Sequence, residues 1–291
     1  MIKTLNVFFK IGIVRFVVIS AIAGYFVAFN IEDKFSTIHF LGMVIGTFLI
    51  SCGSLSLNQI QEVEQDSKMP RTQNRPVANG DLSIRTASII SLSTIISGSI
   101  ILYFVSPLSF AIGLVIIALY NGLYTMYWKK KWAFAAVPGA IPGALPCTIG
   151  YAAMSNNILS SESIYLFLVM FLWQMPHFWT LAIKLKEDYQ KGGFPILPVV
   201  VGKQRTIYHI SYYVWAYVLL AIMSPFFVHF NIFYFWVVLP FAILVLLMFF
   251  LFVRSSNEKA WLPFFLIVNF SMLAFIFSPV LDKWYPIIFN S

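Results

Sequence analysis

The chain has 291 residues, of which 60% are hydrophobic and only 10% charged, against roughly 25% charged in a soluble domain. With a mean hydropathy of +0.84, a water-soluble fold is excluded, because so few charges cannot give the surface enough polar cover. The formal net charge of +8 does not point to nucleic acid, since the basic residues fall in short segments between apolar runs and a positive-inside bias accounts for them.

In chain order, nine apolar runs of spanning length are predicted at 11–29, 38–57, 86–105, 107–126, 133–153, 163–183, 207–228, 232–253 and 261–280. Uniform runs of about 20 residues are helices rather than barrel strands in lipid. The predicted fold is all-α, a polytopic membrane bundle of nine transmembrane helices with no soluble domain between them. The first run contains Ala21-Ile22-Ala23, which resembles a signal cleavage site. The run is longer than a signal core, so a retained first helix is expected. With no Arg- and Ser-rich transit segment, a bacterial cell membrane is the expected location. Cys52 and Cys147 lie within or beside apolar runs and read as small buried residues.

Charge sets the orientation. With the N-terminus inside, 16 Lys and Arg residues, from Lys3 to Lys259, fall on the inner side, and only Lys34 and Lys283 on the outer. An N-in, C-out topology follows. Glu62, Glu64, Asp66, Asp81, Glu187, Asp188 and Glu258 also fall on the inner side. Two inner loops therefore hold both signs of charge, and chemistry is expected there.

The first loop reads NQIQEVEQDSKMPRTQNRP from Asn58. On a helix continuing the second span, Asn58, Glu62 and Asp66 fall on one face at i, i+4 and i+8. Carboxylates on one stripe repel unless a cation lies between them. Oxygen ligands of this kind suit Mg²⁺ completed by water and substrate phosphate. Arg71 and Arg75 follow in a Pro-flanked turn, and Arg forks grip phosphate or carboxylate. A solvated loop of mixed charge is the plain alternative. The position at a bundle mouth favours an anionic, metal-bound head group with an apolar tail, and a polyprenyl diphosphate fits that description.

Further along, Tyr120, Asn121, Tyr124 and Tyr127 close the fourth run before Lys129-Lys130-Lys131. The tyrosines read as interface anchors, Asn121 as a polar group facing a cavity, and the Lys run as a topology signal. The prolines and small residues of PGAIPGALP permit close helix approach. In the second inner stretch, Pro176 is predicted to break or kink the sixth helix. His177 sits there at membrane depth, where an ionisable group marks a functional site unless it is a neutral core histidine. That plain reading is preferred for His39, His209 and His229. Lys184, Lys186, Glu187 and Asp188 follow, and Gly192-Gly193 with FPILP reads as a lid over the mouth.

These residues resemble the UbiA-type intramembrane prenyltransferases. Asn58, Glu62, Asp66, Arg71, Thr72, Arg75 and Pro76 follow the order of an Asn-x-x-x-Asp-x-x-x-Asp element and its Arg-Thr-x-x-Arg-Pro sequel. Pro176, His177, Asp188, Tyr189, Pro195, Leu197 and Pro198 are similar to the haem-farnesylating branch. The resemblance implies one domain over residues 1–291, with farnesyl diphosphate and protoheme IX as substrates and haem O and diphosphate as products. It implies Asn58, Glu62, Asp66 and Asp188 as catalytic metal ligands, Arg71, Arg75 and Lys129 on the diphosphate, and His177 on the haem. Glu62 stands where Asp is usual. Lys184 stands four before Asp188, where many members carry a second acid, so one or two Mg²⁺ ions are both expected. A haem-oxidising membrane enzyme downstream is the implied partner, beside the lipid bilayer itself.

Three other classes remain weighed against this. A haem-carrying electron-transfer subunit would want facing histidines, and only His177 lies deep in a run. A transporter would suit kinked spans but has no need of two carboxylate–arginine clusters. Prenylation of an aromatic quinone precursor would keep the first motif but not the Pro-His element.

Overall fold

The computed structural model of the chain describes residues 2–229, 232–254 and 260–289. Glu258 and Lys259 lie outside the described residues. Every predicted apolar run forms helix, and no strand occurs among the described residues. The long helices are α1 (Ile11–Ala28), α2 (Thr37–Gln61), α3 (Ile84–Val105), α4 (Pro107–Lys131), α5 (Ala136–Ala152), α6 (Ser161–Lys184), α7 (Leu197–Ile222), α8 (Tyr234–Arg254) and α9 (Trp261–Phe289). Among the described residues, seven of them, all but α5 and α7, are long and apolar enough to cross a membrane. Together with the composition, they make the chain a multi-pass membrane protein.

Short polar residues start these helices. The side chains of Ser36, Ser83, Ser106 and Ser160 accept from backbone N–H groups in the first turns of α2, α3, α4 and α6. Each supplies an acceptor to an otherwise unpaired donor. The FPILP segment starts α7 well before the predicted run at 207, with Pro198 in its first turn, where the missing N–H costs nothing. Gly202, at φ 80° and ψ 172°, then breaks the helix.

Pro176 does not break α6, which runs unbroken from Ser161 to Lys184. A proline at membrane depth is tolerated when neighbouring helices shield the backbone groups it frees. Pro142 and Pro146 lie inside α5 in the same way.

Small residues bring α1 and α5 into backbone contact. A Cβ on Gly24 would stand 1.9 Å from the Cys147 carbonyl oxygen, and one on Gly150 would stand 1.8 Å from that of Ala21. Close approach of this kind is how helices associate where apolar burial gives little drive. The largest buried cluster lies among α5–α9 around Tyr165, Trp179, Tyr217, Phe264 and Phe275.

One end of the bundle gathers the start of α1, the end of α2, the end of α4 and the end of α6. Short helices at Val63–Lys68 and Lys186–Lys191 lie there. Met69, Tyr189, Phe194 and Ile196 are buried together, so the 186–196 segment sits on the first loop, as the lid reading expects. Gly193, at φ 74°, makes its turn.

Candidate active site

The first motif keeps one face although its helix bends. α2 ends at Gln61, and Glu62 takes a non-helical conformation (φ −111°, ψ 15°). The backbone bonds still step by four, from Glu62 N to Asn58 O (3.0 Å) and from Asp66 N to Glu62 O (2.8 Å). Asn58, Glu62 and Asp66 are each no more than 2% exposed and line one cavity of about 420 Å³. The following turn folds back onto them, because the buried Thr72 donates to the Asp66 carbonyl at 2.9 Å.

Each carboxylate meets a cation. Lys129 Nζ stands 2.7 Å from both Oε1 and Oε2 of Glu62, and Arg75 Nη1 donates to Asp66 Oδ2 at 2.6 Å. Lys10 Nζ donates to Asn58 Oδ1 at 2.6 Å, while Asn58 Nδ2 donates to Thr125 Oγ1 at 3.2 Å. Arg71 also lines the cavity, with Nε 3.7 Å from Asp188 Oδ2 at the rim. Burial pushes the Glu62 carboxyl up, but the ammonium groups of Lys129 and Lys10 outweigh it and hold it below the usual carboxylate value. Burial, with Arg75 nearby, lowers the Lys10 ammonium to about 7.

The four cations Lys10, Arg71, Arg75 and Lys129 face Glu62 and Asp66 at this mouth. The excess of positive charge suits a multiply charged anion. Among the described residues no three His, Cys, Asp or Glu side chains form a ready metal cage. Mg²⁺ needs none, since it uses one or two carboxylates and takes water and phosphate oxygens for the rest. The donor set fits it, because Asp66 Oδ1 is buried without a hydrogen-bond partner among the described residues.

The cavity runs from this mouth into the bundle along an apolar wall that includes Phe16, Ile50, Leu55 and Met170. His177 lines it, its ring held between Trp173 (centroids 4.7 Å apart) and Phe265 (5.0 Å). Its Nδ1 is buried without a hydrogen-bond partner among the described residues. The remaining histidines match the plain reading in part: His39 Nε2 lies 3.1 Å from the Val105 carbonyl, and His209 packs edge-on against Phe134. His229 is exposed and lines a separate pocket with Glu162 and Asp282, at the opposite end of the bundle.

The structure therefore brings Asn58, Glu62, Asp66, Arg71, Arg75, Lys129 and His177 to one cavity and sets Asp188 beside it through Arg71. Lys184 stands elsewhere, its Nζ 4.2 Å from the Trp261 ring centroid. The fourth run corrects the sequence reading. Residues 118–128 form a π-helix, whose wider turn rotates the side chains. Tyr120 and Tyr124 thereby face the cavity instead of the interface. Asn121 faces away from it and holds α2, donating to the Ser54 carbonyl (2.9 Å) and Gln61 Oε1 (3.1 Å). Tyr127 alone stays exposed, under Lys131. Lys10 was also missed as a site residue. Its signal is structural, as the one non-glycine residue at positive φ (50°) among the described residues. Such strain costs on the order of 1 kcal/mol and clusters at working sites.

The sequence profile of the UbiA prenyltransferase family matches residues 17–276. A protoheme IX farnesyltransferase of Bdellovibrio bacteriovorus is 47% identical over 275 residues, 94% of each chain. One of Macrococcus caseolyticus is 37% identical over 77% of this chain and 73% of its own. In fold, a digeranylgeranylglyceryl phosphate synthase superposes with a TM-score of 0.76 at 21% identity, over 96% of this chain and 98% of the other. A UbiA homolog from Archaeoglobus fulgidus bound to GPP and Mg²⁺ gives 0.68 at 16% identity, over 95% and 99%. The chain belongs to the UbiA prenyltransferase family.

Proposed function

We propose that this protein transfers the farnesyl group of farnesyl diphosphate to a vinyl group of protoheme IX and adds water, giving haem O and diphosphate. The observation that carries the reading is the 47% identity to a protoheme IX farnesyltransferase across 94% of both chains. The cavity supports it, joining a cationic mouth to an apolar interior with an aromatic-flanked histidine in its wall.

Arg71, Arg75, Lys10 and Lys129 hold the diphosphate and stabilise the charge that builds on it as the allylic C–O bond breaks. Lys129 and Arg75 leave Glu62 and Asp66 to do so, which frees those carboxylates and Asn58 to hold Mg²⁺. The ion, when bound, supplies further positive charge at the leaving oxygens. Asp188 orders Arg71 at the rim and is the candidate ligand of a second ion. Tyr120, Tyr124 and the apolar wall keep water from the allylic cation until the vinyl carbon attacks its C1. Trp173, His177 and Phe265 hold the porphyrin, with His177 toward its iron or its edge.

The same reading takes α5 and α7 as the remaining crossings, for nine in all, in one domain with the charged mouth on the cytoplasmic side of a bacterial cell membrane. A haem-oxidising membrane enzyme would take the product onward. The test is an assay of membranes with haemin, reductant, Mg²⁺ and farnesyl diphosphate, followed by mass. A haem species heavier by a farnesyl group and one water is expected. Prenylated 4-hydroxybenzoate formed in its place would overturn the haem assignment.

A further inference from the structure

We propose that Gln174 holds the water that completes the reaction, and so decides that the product is an alcohol instead of an alkene; this rests on the farnesyl-to-haem reading above. Gln174 lies within α6, its side chain in the cavity wall. Its Nε2 donates to the Ala140 carbonyl at 3.0 Å and to the Met170 carbonyl at 2.9 Å. Both amide hydrogens are spent, which fixes the amide and leaves Oε1 as an acceptor with no donor among the described residues. A Cβ on Gly143 would stand 2.1 Å from Oε1, so the bare backbone of α5 is what gives the oxygen its place.

The depth is right for the chemistry. Asn58 bonds Thr125, and the neighbouring Tyr124 ring lies against Gly139, within 2.6 Å of where its Cβ would stand. Gly143 is one turn deeper on α5, so Oε1 stands about 6 Å below the level of Asn58, the innermost of the proposed metal ligands. The farnesyl C1 is one bond from the diphosphate, and the vinyl carbon that becomes cationic is two bonds beyond C1.

At that point the C1–O bond has broken and the C1–vinyl bond has formed. The new cation beside the porphyrin either loses a proton, leaving an alkene, or gains water. A water donating one O–H to Oε1 keeps a lone pair for the cationic carbon. As the C–O bond forms, its other proton passes to the released diphosphate, the base that the first step has made. An amide oxygen orients the water without taking the proton itself.

The test is the product ratio by mass, the farnesyl-haem lacking one water against the hydrated species. In Gln174→Met the ratio is expected to rise about tenfold, the size of one lost hydrogen bond. In Gly143→Ala the new methyl meets the Gln174 side chain first, 2.1 Å from Oε1, so it displaces the amide oxygen and is expected to shift the ratio the same way, which covers a Gln174 variant that fails to fold. An unchanged ratio with lower total turnover in both variants would make Gln174 merely structural and overturn the proposal. No farnesylated haem from the unsubstituted protein would instead overturn the reading on which it rests.

Discussion

At Asp66, one oxygen is held by Arg75 and the other, buried, has no partner among the described residues. A buried carboxylate oxygen left unpaired is costly, and a metal ion is the partner that removes the cost. Asp66→Asn keeps the shape and removes the charge. It is expected to lower turnover roughly 10²–10³-fold, as loss of one strong electrostatic contact does. It should also raise the Mg²⁺ concentration needed for half-maximal rate, and an unchanged Mg²⁺ titration would argue against the ligand role. Lys10 tests the other side of the balance. Its ammonium reaches Asn58 from a strained turn just before α1. Lys10→Met removes one charge-assisted contact to the diphosphate, so KM for farnesyl diphosphate should rise roughly tenfold or more with kcat less affected. These two residues differ in how legible they were. Asp66 announces itself by its spacing from Asn58 and Glu62. Lys10 is 48 positions from its partner, and nothing in a run of apolar sequence signals a positive φ.

At the scale of elements, helix positions were legible because lipid forces each apolar run to satisfy its own backbone. Side-chain direction was legible only where the helix is regular. Along the π-helix at 118–128, Tyr120 and Tyr124 turn inward and Asn121 away, against the reading of the tyrosines as interface anchors and of Asn121 as a cavity-facing group. Wide turns of this kind gather at functional sites, and here one gives the cavity two of its three phenols among the described residues, the third being Tyr189. The PGAIPGALP segment marked the wrong turns, since its Gly139 and Gly143 meet the side chains of Tyr124 and Gln174, and the close crossing falls just beyond it at Cys147 and Gly150. The backbone contact of Gly150 with Ala21 predicts that Gly150→Ala lowers the thermal midpoint of the detergent-solubilised protein by several degrees. A forced shift of that crossing costs about 1–3 kcal/mol. Gly12→Ala has open space around the new methyl and should leave the midpoint within error. Equal melting of the two variants would remove the crossing from the forces that hold the bundle.

For the molecule as a whole, the charge count and the cavity speak to the same polarity from different evidence. The cationic mouth that suits a diphosphate is built from residues the sequence assigns to the inner side, and the substrate it suits is a water-borne head group on a lipid-borne tail. An orientation set by loop charge would thus also set the side from which substrate enters. Lys34 and Lys130 stand in segments at opposite ends of the bundle, after α1 and at the end of α4. The native thiols of Cys52 and Cys147 are both buried, so a single added cysteine reports cleanly. In spheroplasts, a membrane-impermeant maleimide is expected to label Lys34→Cys directly and Lys130→Cys only after the membrane is opened. The reverse pattern would turn the mouth outward and set the diphosphate on the side where the positive-inside bias does not place its cations. Labelling of both before opening would show that α1–α4 do not carry the chain across as the N-in topology requires.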